Sequence, residues 1–413
     1  MKILFFSENF PPEVNAASTR VYERACYWVK WGHDVTVITC APNFPQGKLY
    51  SGYKNKWHQV EYINGIRVVR VKTFISKNEG IALRTLDFLS FNITGVVAAL
   101  FEEKPDVAIS TSPQFFAAVA GWMVSEAKGV PFIFELGDLW PASIAAVGVI
   151  KGESVLLKMV EKLELYLYDR AAHVVSLTNS FKDDLIRRNV PEDKITVVIN
   201  GVDLPRYKPM PKEPELTSAL GFEGKFVLGY IGTQGAAHGL ENAIDAAEIL
   251  RDNHEICFLF VGTGSEHEKI KVKVEQLKLS TNVRFVPPQP KDEMPKYWSL
   301  CDAALVHLKD SDVFKTVIPS KMFEAMGMGL PLMVVSPQGE ASAIVERENC
   351  GVWVPAGNPQ LFAEKILFLK ETPEQLRSLS VNSLDASKRY TREIQAEKMI
   401  KVIEDVVKGR AVK

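Results

Sequence analysis

Paired cysteines are missing from this chain: its five, Cys26, Cys40, Cys257, Cys301 and Cys350, are odd in number, widely spaced and never arranged C-x-x-C. That argues against a disulfide framework or a cysteine zinc site and fits a reducing compartment. Nor is one charge in excess. Lys plus Arg number 49 against 50 Asp plus Glu, so no global field favours nucleic acid, and any anion site must be local. Long hydrophobic runs are lacking too. The greasiest stretch, residues 86–101, contains Asp87 and Asn92 and falls short of the ~20 apolar residues that span a bilayer. The first twelve residues hold one lysine and an apolar run of four, too short for a secretory signal core, so a cytoplasmic chain is expected.

What is present is length and alternation. A chain of 413 residues suits about two domains, hence a cleft. Apolar runs rich in β-branched and aromatic residues alternate with helical-period segments, the pattern of parallel sheets built from βαβ units. Strands are expected at 2–6, 34–40, 107–110, 132–135, 174–177 and 196–199, then at 226–231, 256–261, 283–286, 303–306 and 332–335. Asn64-Gly65 between two alternating runs in 58–74 reads as a type I′ hairpin. Four prolines among charged residues in 203–225 read as a linker unable to hold a helix. The division is therefore 1–204 as an N-terminal Rossmann-like domain, 205–224 as linker, 225–388 as a second such domain, and 389–413 as a helix able to cross back to the first. Beyond Gly357 the chain reads as helical, over 361–370, 373–388 and 392–407.

In open α/β sheets ligands bind at the carboxyl ends of strands. Four of the loops there are unusual. After 226–231 comes G-T-Q-G-A-A-H-G, with Gly229, Gly232, Gly235 and Gly239, where backbone N–H groups can approach phosphate oxygens; Thr233 and His238 lie in the same loop. Tight turns without a ligand remain the alternative there. After 256–261, Gly262 and Gly264 bring a second backbone close to something before a helix. The segment 315–331 reads K-T-V-I-P-S-K-M-F-E-A-M-G-M-G-L-P, in which Pro319-Ser320 starts a helix, so that free N–H groups and Lys321 converge where a diphosphate would sit. Glu324 follows one turn on, placed to accept from ribose hydroxyls. In the first half, 132–135 runs into L-G-D-L-W-P, putting Asp138 at a strand end, where it could orient a hydroxyl or take a proton, or simply form a turn.

Taken in order, these segments resemble glycosyltransferase family 4. The resemblance covers nearly the whole chain: F-P-P-E at 10–13, N-G-V-D at 200–203, the glycine loop 232–240, V-G-T-G at 261–264, C-D-A at 301–303, P-S-K-M-F-E-A-M-G-M-G-L-P at 319–331 and V-P-A-G-N at 354–358. D-L-W-P and P-S-K are shared with bacterial N-acetyl-L-fucosamine transferases of polysaccharide assembly. The resemblance implies a GT-B fold, two facing Rossmann-like doubly wound domains with an interdomain cleft. It also implies retaining, metal-independent transfer without a cofactor, from a nucleotide-sugar donor, UDP-linked and carrying an N-acetylamino sugar, to a glycan or polyprenyl-diphosphate-linked acceptor in O-antigen or capsule synthesis.

By the same resemblance the donor site comprises Gly232, Thr233, Gly235, His238, Gly262, Gly264, Lys315, Thr316, Ser320, Lys321 and Glu324. Asp138, Lys321 and Glu324 are the catalytic candidates, and Glu13, Asn15 and Asp138 form the acceptor or cleft rim. Two departures stand out. Thr316 occupies the place of the first of two family glutamates, eight positions before Glu324, and Thr233 and His238 replace an arginine and a lysine of the glycine loop. The cluster Arg67, Arg70, Lys72, Lys77 and Arg84 against a single acid, Glu79, points to peripheral contact with an anionic membrane at its cytoplasmic face, with a solvated hairpin edge as the alternative. The rival functions are a nonhydrolysing sugar-nucleotide epimerase and an inactive GT-B scaffold. A nicotinamide oxidoreductase is disfavoured because no G-x-G-x-x-G follows the first strand.

Overall fold

The expected alternation organises the computed structural model, which describes residues 1–44, 46–75, 81–112, 115–139 and 155–409, with the side chains of 81, 82, 84, 115 and 156 outside that description. The chain divides into two units, Met1–Ile199 together with the segment from Arg392 onward, and Asn200–Thr391.

The first unit contains β1 (Lys2–Phe6), α1 (Ala16–Lys30), β2 (Asp34–Cys40), β3 (His58–Ile63), β4 (Ile66–Val71), α2 (Ile81–Phe101), β5 (Val107–Thr111), α3 (Phe115–Lys128), β6 (Phe132–Leu136), α4 (Val155–Arg170), β7 (His173–Ser176), α5 (Asn179–Arg187) and β8 (Ile195–Val197). Its sheet order is β3-β4-β2-β1-β5-β6-β7-β8. Every pairing is parallel except β3 with β4. Asn64 and Gly65 turn that hairpin with positive φ at both positions, 48° and 80°, as a type I′ turn demands.

The second unit runs α6 (Pro214–Leu220), β9 (Phe226–Ile231), α7 (Glu241–Ile249), β10 (Ile256–Val261), α8 (His267–Gln276), β11 (Val283–Val286), α9 (Met294–Ser299), β12 (Ala303–His307), α10 (Lys321–Gly327), β13 (Leu332–Ser336), α11 (Glu340–Glu348), β14 (Gly351–Pro355), α12 (Pro359–Glu371) and α13 (Pro373–Ser387). Its order is β11-β10-β9-β12-β13-β14, all parallel. Strands β9, β10, β12 and β13 are buried along their whole length, which is why they read as continuous apolar runs rather than alternating ones.

Two expectations differ from what forms, and a third, the returning last helix, agrees with it. The stretch expected as a linker, 205–224, lies within the second unit and holds α6, because Pro214 occupies the first helical turn, where its missing N–H is harmless. β14 was not expected; it is an edge strand, and Pro355 at its end is tolerated there. The last helix, α14 (Arg392–Val407), belongs to the first unit, whose core includes Ala396, Met399, Ile400 and Ile403 beside Val21, Ala25 and Trp28 of α1. The Trp28 indole N–H donates to the Ala396 carbonyl at 3.1 Å.

Candidate donor and acceptor sites

In parallel sheets, ligands bind at the carboxyl ends of the strands where the strand order reverses, because the loops diverge there. In the second unit the reversal lies between β9 and β12. The loops after these strands are tied together. His238 Nδ1 donates to the His307 carbonyl at 3.2 Å, while His307 Nδ1 donates to the His238 carbonyl at 2.6 Å. Lys309 N donates to the Ala237 carbonyl at 2.9 Å, and Asn242 Nδ2 donates to His307 Nε2 at 3.0 Å. Burial, with Lys321 nearby, pushes His238 down to about 3, and burial pushes His307 down to about 4, so both rings are neutral at pH 7.

The glycines of this region divide by role. Gly229 belongs to β9 rather than to the loop, and a Cβ there would stand 2.2 Å from Cys301 Sγ. Gly262 and Gly264 admit the neighbouring loop: a Cβ would meet the Gly232 carbonyl oxygen at 2.3 Å from position 262, and the Gln234 carbonyl oxygen at 2.4 Å from position 264. Gly232 has φ +138°, and a Cβ on it would approach Lys321 Nζ to 3.1 Å. Gly235, by contrast, has ordinary extended backbone, with φ −104° and ψ 169°.

Lys321 begins α10, and its ammonium is buried over the Tyr230 ring, 3.5 Å from the centroid. Among the described residues Nζ has no hydrogen-bond partner. Burial lowers its pKa to about 7, with Glu324 opposing the shift. Ser320 stands at the cap position with helical φ and ψ and makes no side-chain cap. Met322 N and Phe323 N donate to the Pro319 and Ser320 carbonyls at 3.1 Å each, so fewer helix-start donors are open than the P-S-K segment suggested. Lys315 is exposed and paired with Asp312 at 2.7 Å. Thr316 Oγ1 donates to the Val313 carbonyl at 2.8 Å. Of Lys309, Lys315 and Lys321, the buried one is thus Lys321.

In the first unit the strand order reverses between β1 and β5. Asn15 caps α1, its Oδ1 accepting from Ser18 N at 2.9 Å. Glu13 turns inward: its carboxylate accepts from Asn43 N at 2.7 Å, Phe44 N at 2.8 Å and Asn9 Nδ2 at 2.9 Å, so it holds the turn after β2 rather than presenting itself at a rim. Burial raises its pKa against these hydrogen bonds. Beneath Asp138 lies a charged core. Glu135 is fully buried and accepts from Arg20 Nε at 3.1 Å and from Arg24 Nη1. Arg20 also reaches Thr111 Oγ1 at 3.0 Å. Ser112 Oγ accepts from Gly137 N at 2.7 Å and Asp138 N at 3.3 Å, fixing the turn that carries Asp138. Burial pushes the half-buried Asp138 carboxyl up to about 6, with Arg20 pulling the other way. Trp140 and Pro141 of the same motif lie outside the described residues.

The expected basic edge is largely engaged. Arg67 pairs with Glu102 at 2.9 Å, and Arg70 is buried against Glu61 and the Cys40 carbonyl. Lys72 lies over the Trp57 ring at 4.7 Å. Lys77 and Glu79, and the Arg84 side chain, lie outside the description. What sequence reasoning left open is whether the greasy stretch that follows this edge is surface or core. From 86 to 101 the exposed positions of α2 are Leu86, Leu89, Ile93, Val97, Leu100 and Phe101, all apolar. Lys54, Lys56 and Trp57 are exposed as well. Among the described residues, no helix is long and apolar enough to cross a membrane.

Tyr230, His307, Arg20 and Glu135 were missed by sequence reasoning. The first two lie within buried strands and read as core; the two charged residues signal themselves only once their spacing of 115 positions is closed by the fold.

A two-unit α/β protein with a buried ammonium beside a glycine turn at a strand-order reversal fits a class, that of nucleotide-dependent group transfer. Comparison with known proteins narrows it. Residues 17–206 match the family described as Glycosyltransferase Family 4, and 212–385 match Glycosyl transferases group 1. Over 339 residues, 80% of this chain and 82% of the relative, it is 25% identical to WcaI of Escherichia coli strain K12, named as a colanic acid biosynthesis glycosyl transferase. It is 24% identical to WbjE of Pseudomonas aeruginosa, named as a glycosyltransferase, over 64% of this chain and 66% of the relative. Among solved structures, HepE of Anabaena in complex with UDP superposes with a TM-score of 0.72 at 17% identity, covering 98% of this chain and all of that one. Sucrose-phosphate synthase from Thermosynechococcus elongatus superposes with a TM-score of 0.78 at 16% identity, covering 99% of each chain. The fold is therefore GT-B, two Rossmann-like α/β domains with parallel sheets, and the chain is a glycosyltransferase whose first half matches family 4 and whose second half matches group 1.

Proposed function

We propose that this glycosyltransferase moves an N-acetylamino sugar from a UDP donor, with retention and without a metal, to a polyprenyl-diphosphate-linked glycan during cell-surface polysaccharide synthesis at the cytoplasmic face of the membrane. The observation that carries the donor half is Lys321: a buried ammonium without a hydrogen-bond acceptor among the described residues, beside Gly232 at the strand-order reversal. A buried charge left unsatisfied is costly unless an anion completes it.

The bottleneck of such a transfer is negative charge gathering on the leaving diphosphate as the anomeric carbon becomes oxocarbenium-like. Lys321 and the N–H groups of Thr233 and Gly235 stabilise that charge, those of Gly232 and Gln234 being donated to the Val261 and Thr263 carbonyls, each well-placed donor contributing about 3 kcal/mol. Glu324 accepts from the ribose hydroxyls. Asp138, its carboxyl pushed up to about 6 by burial, orients the acceptor hydroxyl. HepE, crystallised with UDP, supports the UDP assignment, and the naming of WcaI for colanic acid synthesis supports a polysaccharide product. The apolar face of α2, on the unit that also carries exposed Lys54 and Lys56 and the Trp57–Lys72 pair, supports a lipid-linked acceptor met at an anionic membrane.

Calorimetric titration of the protein with UDP and with GDP, beside a Lys321→Ala, Glu324→Ala double variant, tests the reading. Selective UDP binding that the double variant loses is expected. Selective GDP binding would keep the transferase and overturn the UDP donor, and binding of neither would favour the inactive scaffold.

A further inference from the structure

Three contacts converge on Tyr230, a fully buried residue near the end of β9. Its hydroxyl donates to the Thr233 carbonyl at 2.5 Å, spanning the turn that contains Gly232. Its ring face carries the Lys321 ammonium, with Nζ 3.5 Å from the centroid. His238 meets the same ring in T-shaped geometry at 5.8 Å. An aromatic face attracts a cation through its quadrupole and gains strength when water is excluded. It offers no lone pair on the scale of a carboxylate, so the ammonium is located without its charge being neutralised. A carboxylate in the same place would pair with Lys321 and compete with an incoming anion.

We propose that Tyr230 is a positioning residue for the donor's diphosphate: its ring holds the Lys321 ammonium at the Gly232 turn, and its hydroxyl fixes that turn, so the anion site is assembled before the donor arrives. This rests on Lys321 binding the diphosphate. The two parts of the side chain have separable effects. The ring sets where the cation sits and how readily it stays charged. The hydroxyl sets the shape of the loop.

UDP binding measured across pH 6 to 9 for wild type, Tyr230→Phe, Tyr230→Leu and Lys321→Ala tests the assignment. Tyr230→Phe keeps the ring and should bind within about threefold of wild type, with the same pH midpoint. Tyr230→Leu removes the ring from a site that stays apolar, and should bind about tenfold more weakly at pH 7. Its midpoint for loss of binding on raising the pH should move down by about one unit, since the ammonium is then less well compensated. Wild-type affinity in Tyr230→Leu, equal losses in the Phe and Leu variants, or a loss with the midpoint unmoved would each overturn the proposal. If Lys321→Ala binds UDP as wild type does, the underlying reading of Lys321 fails instead. Should Tyr230→Leu not fold, the ε-methylene protons of Lys321 in the wild-type protein decide the matter by NMR. An upfield ring-current shift is expected, and random-coil positions would refute the placement.

Discussion

The Gly232 carbonyl oxygen and the α-carbon of Gly262 lie so close that a methyl group on residue 262 would stand 2.3 Å from that oxygen. Position 262 also has φ +130°, a conformation that L side chains rarely adopt. Gly262→Ala must therefore strain the backbone or part the two loops, costing about 2–3 kcal/mol and lowering the melting temperature by roughly 5–10 °C. Gly235→Ala is the control: its backbone is ordinary and the nearest atom to a new Cβ is 3.8 Å away. It should melt like wild type, so a loss of UDP affinity there would mark backbone contact with the ligand. Calorimetric melts of the two variants decide; equal stability would show that the loops separate freely.

The contrast among these glycines shows what was legible in the sequence. Glycine-rich turns after β9 and β10 announced a close approach, but not to what; only the fold reveals that the Cβ side of Gly262 and Gly264 is taken by the first loop. The buried strands were legible because fully covered parallel strands must be runs of apolar residues, and the hairpin because Asn64-Gly65 can adopt positive φ. Pro214 misled because proline breaks a helix interior yet starts a helix at its first turn. Lys321 was legible from its place after Pro319-Ser320. Tyr230 was not, since an aromatic on a central strand looks like core until the ammonium is found on its face.

Lys321 sets function against stability. Its pKa in the folded chain is about 7, against roughly 10.4 when unfolded. Between these values the unfolded chain binds the proton that the folded chain has released, so stability rises with pH across that window, and the full cost of the buried charge is felt below pH 7. Lys321→Met should therefore raise the melting temperature by several degrees at pH 6 and by little near pH 10. Its UDP affinity should fall about 10- to 100-fold, the worth of a charge-assisted hydrogen bond. Melting curves at the two pH values test this; a variant less stable than wild type at pH 6 would contradict it.

Glu135 behaves in the opposite sense. Burial alone would raise its pKa, but Arg20 and then Arg24 more than offset this and hold the carboxylate below its usual range. Its contribution is thus complete above the unfolded value of about 4.3 and is lost as the pH falls through the lower folded value. Glu135→Gln would leave the Arg20 and Arg24 guanidiniums buried together without their shared anion, costing about 3–5 kcal/mol at pH 7. In urea unfolding the deficit relative to wild type should narrow as the pH is lowered below 4. A deficit independent of pH would show that shape, not charge, is what matters there.

Asp138 can be tested through both rate and stability. Its carboxyl titrates near 6 in the folded protein because burial disfavours the anion, so stability is greatest below the unfolded value of about 3.9 and falls as the pH rises through 6. Asp138→Asn should accordingly stabilise the protein at pH 7 and 8 but not at pH 4. If the ionised carboxylate orients the acceptor hydroxyl, transfer should fall roughly 100-fold or more, and the decline of wild-type kcat/KM below pH 6 should vanish in the variant. Normal transfer rates in Asp138→Asn would remove the residue from the mechanism.

The proposed membrane contact can be tested on the exposed face of α2. Leu86, Leu89, Ile93 and Val97 are exposed at helical spacing with no charge between them on that face, and Phe74, also exposed, is joined to the helix through its N–H to Ser90 Oγ at 2.7 Å. An apolar stripe on a unit that also exposes Lys54, Lys56 and Trp57 suits an anionic bilayer, whose attraction contributes about 1 kcal/mol per lysine near the surface. Flotation with vesicles containing phosphatidylglycerol should carry the wild-type protein upward, vesicles of phosphatidylcholine alone should carry less, and added salt should weaken the first result. Ile93→Glu with Val97→Glu should abolish flotation while leaving UDP binding unchanged, because both positions lie in the first unit and the donor loops in the second. Flotation of the double variant equal to wild type would move the membrane contact elsewhere. Absence of flotation in wild type would leave a soluble acceptor as the substrate, since a lipid-linked one has to be met at the bilayer.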